Sequence, residues 1–312
     1  MSLDRAPWLW SFAGAALVYL GAVVINQGQG SFGMLSAALA LAVYMVVVGI
    51  GQMFVITLGP GNVDLSLPAN IGLASAVAMT VMGGSDTMIL PGLAAALACG
   101  GAIGLVNYGL IAALRIPPII ATLSVSFVVQ SIDISFGRGL QIKPPPGFAD
   151  AISLSVAGLP VAAAVAILAS AGFAVLLQKT VFGREVTAIG QNRRAARLAG
   201  IDVARVRCLT YMLCGALGGL NGALLAGYFR GASVDLGNDY LLASIAVVVI
   251  GGTSVAGGEA TVAGLWGAAL FLVFLQIMLN AIDAGAGLRL VVTGLVIVAV
   301  ITAAAPGRKA PR

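Results

Sequence analysis

The sequence predicts an all-α, polytopic membrane protein with about ten transmembrane helices in a single domain, residues 1–312. Hydrophobic residues make up 60% of the chain and charged residues only 9%, whereas soluble domains carry about 25% charged residues. The mean hydropathy of +1.06 also indicates a membrane protein. Because a crossing helix needs about 20 residues, the chain has room for ten. This composition excludes a soluble enzyme, a nucleic-acid binder and a peripheral protein.

Ten apolar runs account for the predicted helices, and no linker or shift in composition divides them. The third and eighth runs are short, which indicates broken or tilted helices at those places. The runs cover residues 8–26, 33–58, 67–83, 89–113, 117–136, 159–178, 207–228, 240–255, 261–281 and 288–304.

The basic residues predict which side of the membrane each loop occupies. With both termini cytoplasmic and the loops alternating, twelve of the sixteen Lys and Arg residues fall on the cytoplasmic side. Seven of them lie in residues 179–207. Cytoplasmic loops of membrane proteins carry such an excess. We therefore expect both termini in the cytoplasm and interpret the net charge of +5 as a topology signal.

Side chains suited to metal or redox chemistry are scarce. The chain has no histidine, which is the commonest metal ligand and general base. Cys99, Cys208 and Cys214 sit in apolar or small-residue runs and form no Cys-x-x-Cys pair. We expect buried thiols that pack as small apolar groups, and neither a metal nor another cofactor.

The longest polar stretch on the predicted cytoplasmic side joins the sixth and seventh apolar runs. In it, Asn192 suits an N-cap and Gly200 suits the C′ position of a helix. The two turns between them place Ala195, Leu198 and Ala199 on one face. Because so short a helix is unstable alone in water, we expect that face to pack on a partner. The alternative is a plain connecting loop whose arginines set the topology.

Glycine and proline interrupt the apolar pattern in residues 57–68, between the second and third runs. Irregular backbone at membrane depth persists only where protein or a water-filled cavity covers it. Asp64 would cost about 2.5–3.5 kcal/mol at the centre of a membrane helix, so it should face a cavity or a hydrogen-bond donor. Two hypotheses stay open: a surface turn capped by Asp64, or a broken helix that lines a polar path.

Two glycine pairs, Gly251-Gly252 and Gly257-Gly258, flank a short polar turn after the eighth run. The turn is not a phosphate-binding loop, because the chain contains no Gly-Lys dipeptide. It is either a tight turn between closely packed helices or a mobile hinge near a partner surface.

Four stretches together resemble the ribose/xylose-type (monosaccharide) ABC transporter permeases, which are membrane subunits of binding-protein-dependent importers. They are residues 62–66, 116–123, 183–201 and 245–258. The resemblance implies a type II ABC importer-like fold with a coupling loop at about 183–205. It also implies these contacts to an ATPase: Gly183, Arg184, Glu185, Ala188, Gly190, Asn192, Ala195, Ala196, Ala199 and Gly200.

The resemblance further implies a transport subunit that is not itself an enzyme and that imports a monosaccharide by alternating access. Its implied partners are a cytoplasmic ABC ATPase, a periplasmic sugar-binding protein, and a second permease copy or a sister permease in the bacterial inner membrane. The chain departs from the family pattern at Asn62 and Pro68, where relatives have glycine, and at Glu259, where they often have a small residue. None of these departures lies in the implied coupling loop.

Polar side chains inside the apolar regions are candidate contacts for a sugar, because their donors and acceptors suit hydroxyl groups. The candidate path consists of Asn62, Asp64, Ser66 and Asn107. Like Asn107, three further residues could instead form helix–helix hydrogen bonds: Gln130, Ser131 and Asn280.

Three other functions stay open from the residues alone. An ion-coupled secondary transporter would need intramembrane acids, for which Asp64, Asp86 and Asp133 are candidates. A structural scaffold would have little use for irregular backbone at membrane depth. A permease of the same architecture could move nucleosides or branched-chain amino acids instead of a sugar.

Overall fold

A computed structural model describes residues 8–28, 30–137, 143–283 and 285–304. A hairpin of two strands, β1 (Ser155–Val156) and β2 (Leu159–Pro160), stands among the helices of this part of the chain. The helices are α1 (Leu9–Ile25), α2 (Ser31–Thr57), α3 (Leu67–Met82), α4 (Ile89–Leu114), α5 (Pro118–Gly137), α6 (Pro146–Ser153), α7 (Val161–Lys179), α8 (Val181–Gln191), α9 (Arg193–Leu198), α10 (Val203–Tyr228), α11 (Tyr240–Ile250), α12 (Ala263–Ala281) and α13 (Ala286–Ala304).

Each of the ten apolar runs contains a helix, namely α1 to α5, α7 and α10 to α13. Six of the described helices are long and apolar enough to cross a membrane. The outer helices expose large apolar side chains such as Leu90 and Leu168, as lipid-facing surfaces do. The prediction of an all-α polytopic membrane protein is confirmed. The third and eighth runs form short helices, with 16 residues in α3 and 11 in α11.

Helix α10 packs backbone to backbone against α4. A Cβ atom on Gly100 would overlap the carbonyl oxygen of Gly215, and one on Gly104 would overlap that of Tyr211. On α10, Gly219 faces the backbone of α4 in the same way. Small residues let membrane helices approach this closely. The contact fixes the polar side chains of α4 relative to those of α10.

The segments that connect the helices lie at two ends of the bundle, as their contacts show. At the end that we term the α8–α9 end, α2 terminates beside α8 and beside the loop between α11 and α12. At the other end, termed the α6 end, the Gly147 N–H donates a hydrogen bond to Asp86 at 2.9 Å. Phe148 and Ile152 of α6 there lie against Gly227 of α10.

Several of the basic residues from which the topology was predicted lie outside the described part of the chain: Arg5, Arg138, Arg308, Lys309 and Arg312.

The cysteines only partly match the expectation of buried thiols. Cys214 is buried against Gly51, whereas Cys99 and Cys208 are half-buried. Within the described ranges, no group of three His, Cys, Asp or Glu side chains is arranged to hold a metal ion.

Candidate functional site

Asp64 lies in a buried hydrogen-bond cluster between α2 and α3. Ser66 donates to Asp64 Oδ1 from its backbone N–H at 2.9 Å and from its hydroxyl at 2.6 Å. Asn107 Nδ2 of α4 lies 3.2 and 3.3 Å from the two carboxylate oxygens, and 2.8 Å from Ser66 Oγ. Asp64 is 1% exposed, and the other two are fully buried. The structure thus brings three of the four predicted path residues together. With Gln52 of α2, whose Oε1 accepts a hydrogen bond from the Asp64 N–H, we term them the Asp64 cluster.

The backbone breaks beside the Asp64 cluster for a local reason. Gly59 and Gly61 adopt positive φ angles of 115° and 77°, which glycine tolerates best. Pro60 between them has no N–H with which to continue α2. Pro68, one of the departures from the family pattern, falls in the first turn of α3, where proline is well tolerated.

The broken segment, residues 58–66, is buried or half-buried at every residue except Pro60 and Gly61, which are exposed. The Asp64 N–H donates to Gln52 Oε1 at 3.3 Å, and the Leu65 N–H donates to Thr122 Oγ1 at 3.1 Å. Side chains of α2 and α5 thus replace water as partners for the freed backbone. Asp64 itself is buried, which favours the broken-helix hypothesis over a surface turn at this residue.

Asn62 forms a neighbouring cluster with α10 and does not join the Asp64 cluster. Its Oδ1 accepts hydrogen bonds from Arg207 Nη2 at 3.1 Å and from the Tyr211 hydroxyl at 3.2 Å. The Arg207 guanidinium also lies 5.9 Å from the ring centroid of Tyr108 on α4. Sequence reasoning counted Arg207 only as a topology residue. In the structure it is buried and holds the broken segment in place.

Two buried polar atoms next to Asp64, Gln52 Nε2 and Asn107 Oδ1, have no hydrogen-bond partner among the described residues. Buried polar atoms are nearly always paired. The Asp64 cluster therefore has one donor and one acceptor to offer to a hydroxyl group.

The implied coupling residues lie on α8 and α9 or at the ends of α9, and α8 was not predicted. The Gly183 N–H donates to Thr180 Oγ1 at 3.2 Å and so caps α8. Val186 and Ile189 are buried on one face of this helix, while Arg184 is exposed and Glu185 and Ala188 are half-buried. The capping threonine and the Val186–Ile189 spacing are sequence signals that could have revealed α8.

Both ends predicted for α9 are confirmed. Asn192 Oδ1 accepts hydrogen bonds from the N–H groups of Arg194 and Ala195, each at 3.0 Å. Gly200 has a φ of 87° just past the helix, and the Ile201 N–H returns to a carbonyl of the last turn. This arrangement is the usual glycine C-terminal motif.

Helix α9 turns one small side chain inward and exposes the rest. Ala196 is buried against the protein. The predicted apolar face of Ala195, Leu198 and Ala199 is exposed, with Leu198 at 83%. The structure therefore leaves this face open to a partner.

Glycine residues join α8, the end of α2 and the loop between α11 and α12. The Gly258 N–H donates to the Thr57 carbonyl at 3.0 Å. A Cβ atom on Gly190 would overlap that same carbonyl and the backbone of Gly258, and one on Gly257 would overlap the backbone of Gly59. We term this contact the glycine junction. The glycine pairs after α11 therefore form a tight turn in contact with α8.

Of the other polar candidates, Asn280 forms a hydrogen bond between helices α12 and α13, and Ser131 bonds within its own helix. Ser131 donates to the Phe127 carbonyl of its own helix at 2.8 Å, and Asn280 accepts from Arg289. Gln130 is half-buried, and Asp86 is exposed.

The membrane-crossing helices and the buried polar break between them are features of a membrane transport protein. The sequence model of the family described as "Branched-chain amino acid transport system / permease component" matches residues 13–301. The chain belongs to this permease family.

Curated relatives are import permeases. The chain is 31% identical to the Ribose import permease protein RbsC of Escherichia coli (strain K12) over 258 residues, which cover 80% of this chain and 79% of the relative. It is 35% identical to the RbsC protein of Bacillus subtilis (strain 168), with 80% and 78% covered. It is 28% identical to the Autoinducer 2 import system permease protein LsrD of Yersinia enterocolitica, with 94% and 90% covered. The resemblance to monosaccharide-type ABC importer permeases is thereby confirmed. No solved structure matches the chain.

Proposed function

We propose that this chain is the membrane-spanning subunit of an ATP-driven importer that moves a monosaccharide of the ribose, xylose or galactose type across a bacterial inner membrane. Family membership and the two RbsC relatives support this proposal. The observation that carries the mechanism is the glycine junction, because it joins the segment with the implied ATPase contacts to the broken segment that holds Asp64.

The ATPase would dock on α8 and α9 at the cytoplasmic face. The open face of α9 offers Leu198 and small alanines, with the basic side chains of Arg193 and Arg197 beside them. A groove of about 440 Å³ between Arg184 and Glu259 adjoins this surface. ATP-driven closure of two ATPase subunits would push on α9, and the glycine junction would pass that movement to residues 58–66.

The sugar would cross next to the broken segment. The Asp64 cluster supplies a carboxylate, a hydroxyl and two amides within hydrogen-bond distance of one another. Asn62 on the same segment is tied to Arg207 and lies nearer the start of α10. Movement of the segment would expose these groups to a solute, in the manner of the broken helices at transporter binding sites.

The architecture that we infer is one domain of ten crossing helices, with a type II importer-like fold and both termini in the cytoplasm. The coincidence of ten helices with ten apolar runs supports it. We infer a periplasmic sugar-binding protein as the donor of the sugar, and a second permease copy or a sister permease as the other half of the pathway.

Another small polar solute is the second candidate. The name of the matching family supports a branched-chain amino acid, and a nucleoside would suit the same polar groups.

The decisive test is uptake into proteoliposomes that contain the chain, together with a partner ATPase and a sugar-binding protein. With ATP inside, radiolabelled D-ribose, D-xylose or D-galactose should enter and should continue to enter after an ionophore collapses all ion gradients. Vesicles without ATP serve as the control. Uptake that ignores ATP and stops with the ionophore would establish an ion-coupled transporter, and uptake of leucine or uridine alone would establish another solute.

A further inference from the structure

A second buried carboxylate lies apart from the Asp64 cluster, on α5. Asp133 is 1% exposed, and neither of its carboxylate oxygens has a hydrogen-bond partner among the described residues. The Asp64 carboxylate, in contrast, accepts several hydrogen bonds. Asp133 is therefore a buried acid whose two carboxylate oxygens accept no hydrogen bond from the described residues.

The surroundings of Asp133 leave room for its carboxylate and place a separate segment over it. A Cβ atom on Gly72 of α3 would overlap Asp133 Oδ2, so the absence of a side chain there makes the space. The Val234 carbonyl oxygen lies 3.1 Å from the same Cβ position. Val234 belongs to the 3₁₀ turn Val234–Gly237, which contacts α3 and α5. Gly237 in that turn lies directly on the Pro68 backbone.

The position of Asp133 relates it to the candidate path. Gly72 follows Ser66 by six residues along α3, which corresponds to about 9 Å of helix. Asp133 thus lies beside the same helix as the Asp64 cluster, further along α3. An unpaired acid within a membrane helix is costly and usually marks a solute or ion path.

The chemistry around Asp133 favours a hydroxyl-bearing solute over a metal ion. A calcium ion takes six to eight oxygen ligands, whereas in the described ranges Asp133 belongs to no group of three His, Cys, Asp or Glu side chains that could hold a metal ion. Asp235 in the same turn already accepts a hydrogen bond from Asn238 at 2.9 Å. Two adjacent hydroxyl groups would instead satisfy the two carboxylate oxygens of Asp133 together.

We propose that Asp133 is a second solute-contacting residue of the path, which accepts hydrogen bonds from adjacent sugar hydroxyls when the turn Val234–Gly237 moves away from α3. The inference rests on the proposed sugar import. Gly72, which Asp133 contacts, lies on α3 between the Asp64 cluster and the α6 end. With the α6 end facing the periplasm, as inferred above, an imported solute would meet Asp133 before Asp64.

The test uses the proteoliposome assay with the best transported of D-ribose, D-xylose and D-galactose, and with its monodeoxy forms that each lack one ring hydroxyl. Asp133→Asn and Asp133→Ala should lower uptake of the parent sugar about tenfold, since a hydrogen bond to a charged group is lost. At least one deoxy form should lose less, so that its disadvantage against the parent sugar shrinks. Asp150→Asn, an exposed acid of α6, should behave as the unchanged chain. Equal amounts of each variant in the vesicles are confirmed by immunoblot.

The outcomes separate the two proposals. If the unchanged chain moves none of the three sugars, the proposed function fails. If it moves one and the Asp133 variants match it, the inference about Asp133 fails alone. Equal loss of uptake for the parent and every deoxy form would also overturn the inference, because a purely structural role would not change the preference among sugars.

Discussion

Gly190 is a position of the glycine junction at which even a methyl group should have a large effect. Its Cα faces the Thr57 carbonyl and the Gly258 backbone without space for a methyl group. Backbone atoms cannot rotate away as a flexible side chain can, so α8 or the end of α2 would have to shift. Tightly packed interiors tolerate such overpacking poorly.

We predict that Gly190→Ala lowers sugar uptake by at least tenfold while the chain still inserts into the membrane. Overpacking costs about 1–3 kcal/mol, which separates α8 from the broken segment before it unfolds the bundle. The matched control is Gly172→Ala on α7, where an added Cβ meets no atom within 4 Å. Uptake is measured in the proteoliposome assay. Normal uptake by Gly190→Ala would show that the glycine junction does not carry the movement.

At the scale of single elements, α9 depends on its two ends. It has only six residues, and helices of this length do not persist alone in water. The Asn192 side chain satisfies two N–H groups at the start, and Gly200 closes the other end. The order of a docking surface on this helix therefore depends on its two caps.

We predict that Asn192→Ala frays α9 and weakens copurification of the ATPase, while Asn192→Asp restores it. Loss of an N-cap costs about 0.5–2 kcal/mol, and aspartate can accept the same two hydrogen bonds. The readout is the amount of ATPase retained on the tagged permease at increasing salt. Equal retention by the alanine and aspartate variants would place the docking surface elsewhere.

Elements that rest on local signals were predictable, and those that rest on long-range contacts were not. Hydropathy revealed ten helices, and the Asn192 cap was readable because its partners are two and three residues away. Helix α8 carries local signals, the Thr180 cap and the Val186–Ile189 spacing, but its polar face kept it outside the apolar runs. The pairing of Asp64 with Asn107 spans 43 residues, so sequence reasoning could propose both as path residues but could not join them.

At the scale of the whole molecule, the seven basic residues in 179–207 should set the orientation. We predict that Arg197→Cys reacts with a membrane-permeant maleimide in intact cells and not with an impermeant one. The native cysteines are first replaced by serine, and Asp150→Cys at the α6 end is the opposite control. Labelling of position 197 by the impermeant reagent would reverse the topology.

The glycine junction has a mechanical consequence. Main-chain atoms in direct contact contain no rotatable bonds that could absorb a small displacement, and close-packed protein interiors are nearly incompressible. A displacement of α8 should therefore be transmitted to residue 59 almost undiminished. In such a transporter, little of the movement of the ATPase would be lost before it reaches the broken segment. The residues that transmit this movement would also tolerate little change in size.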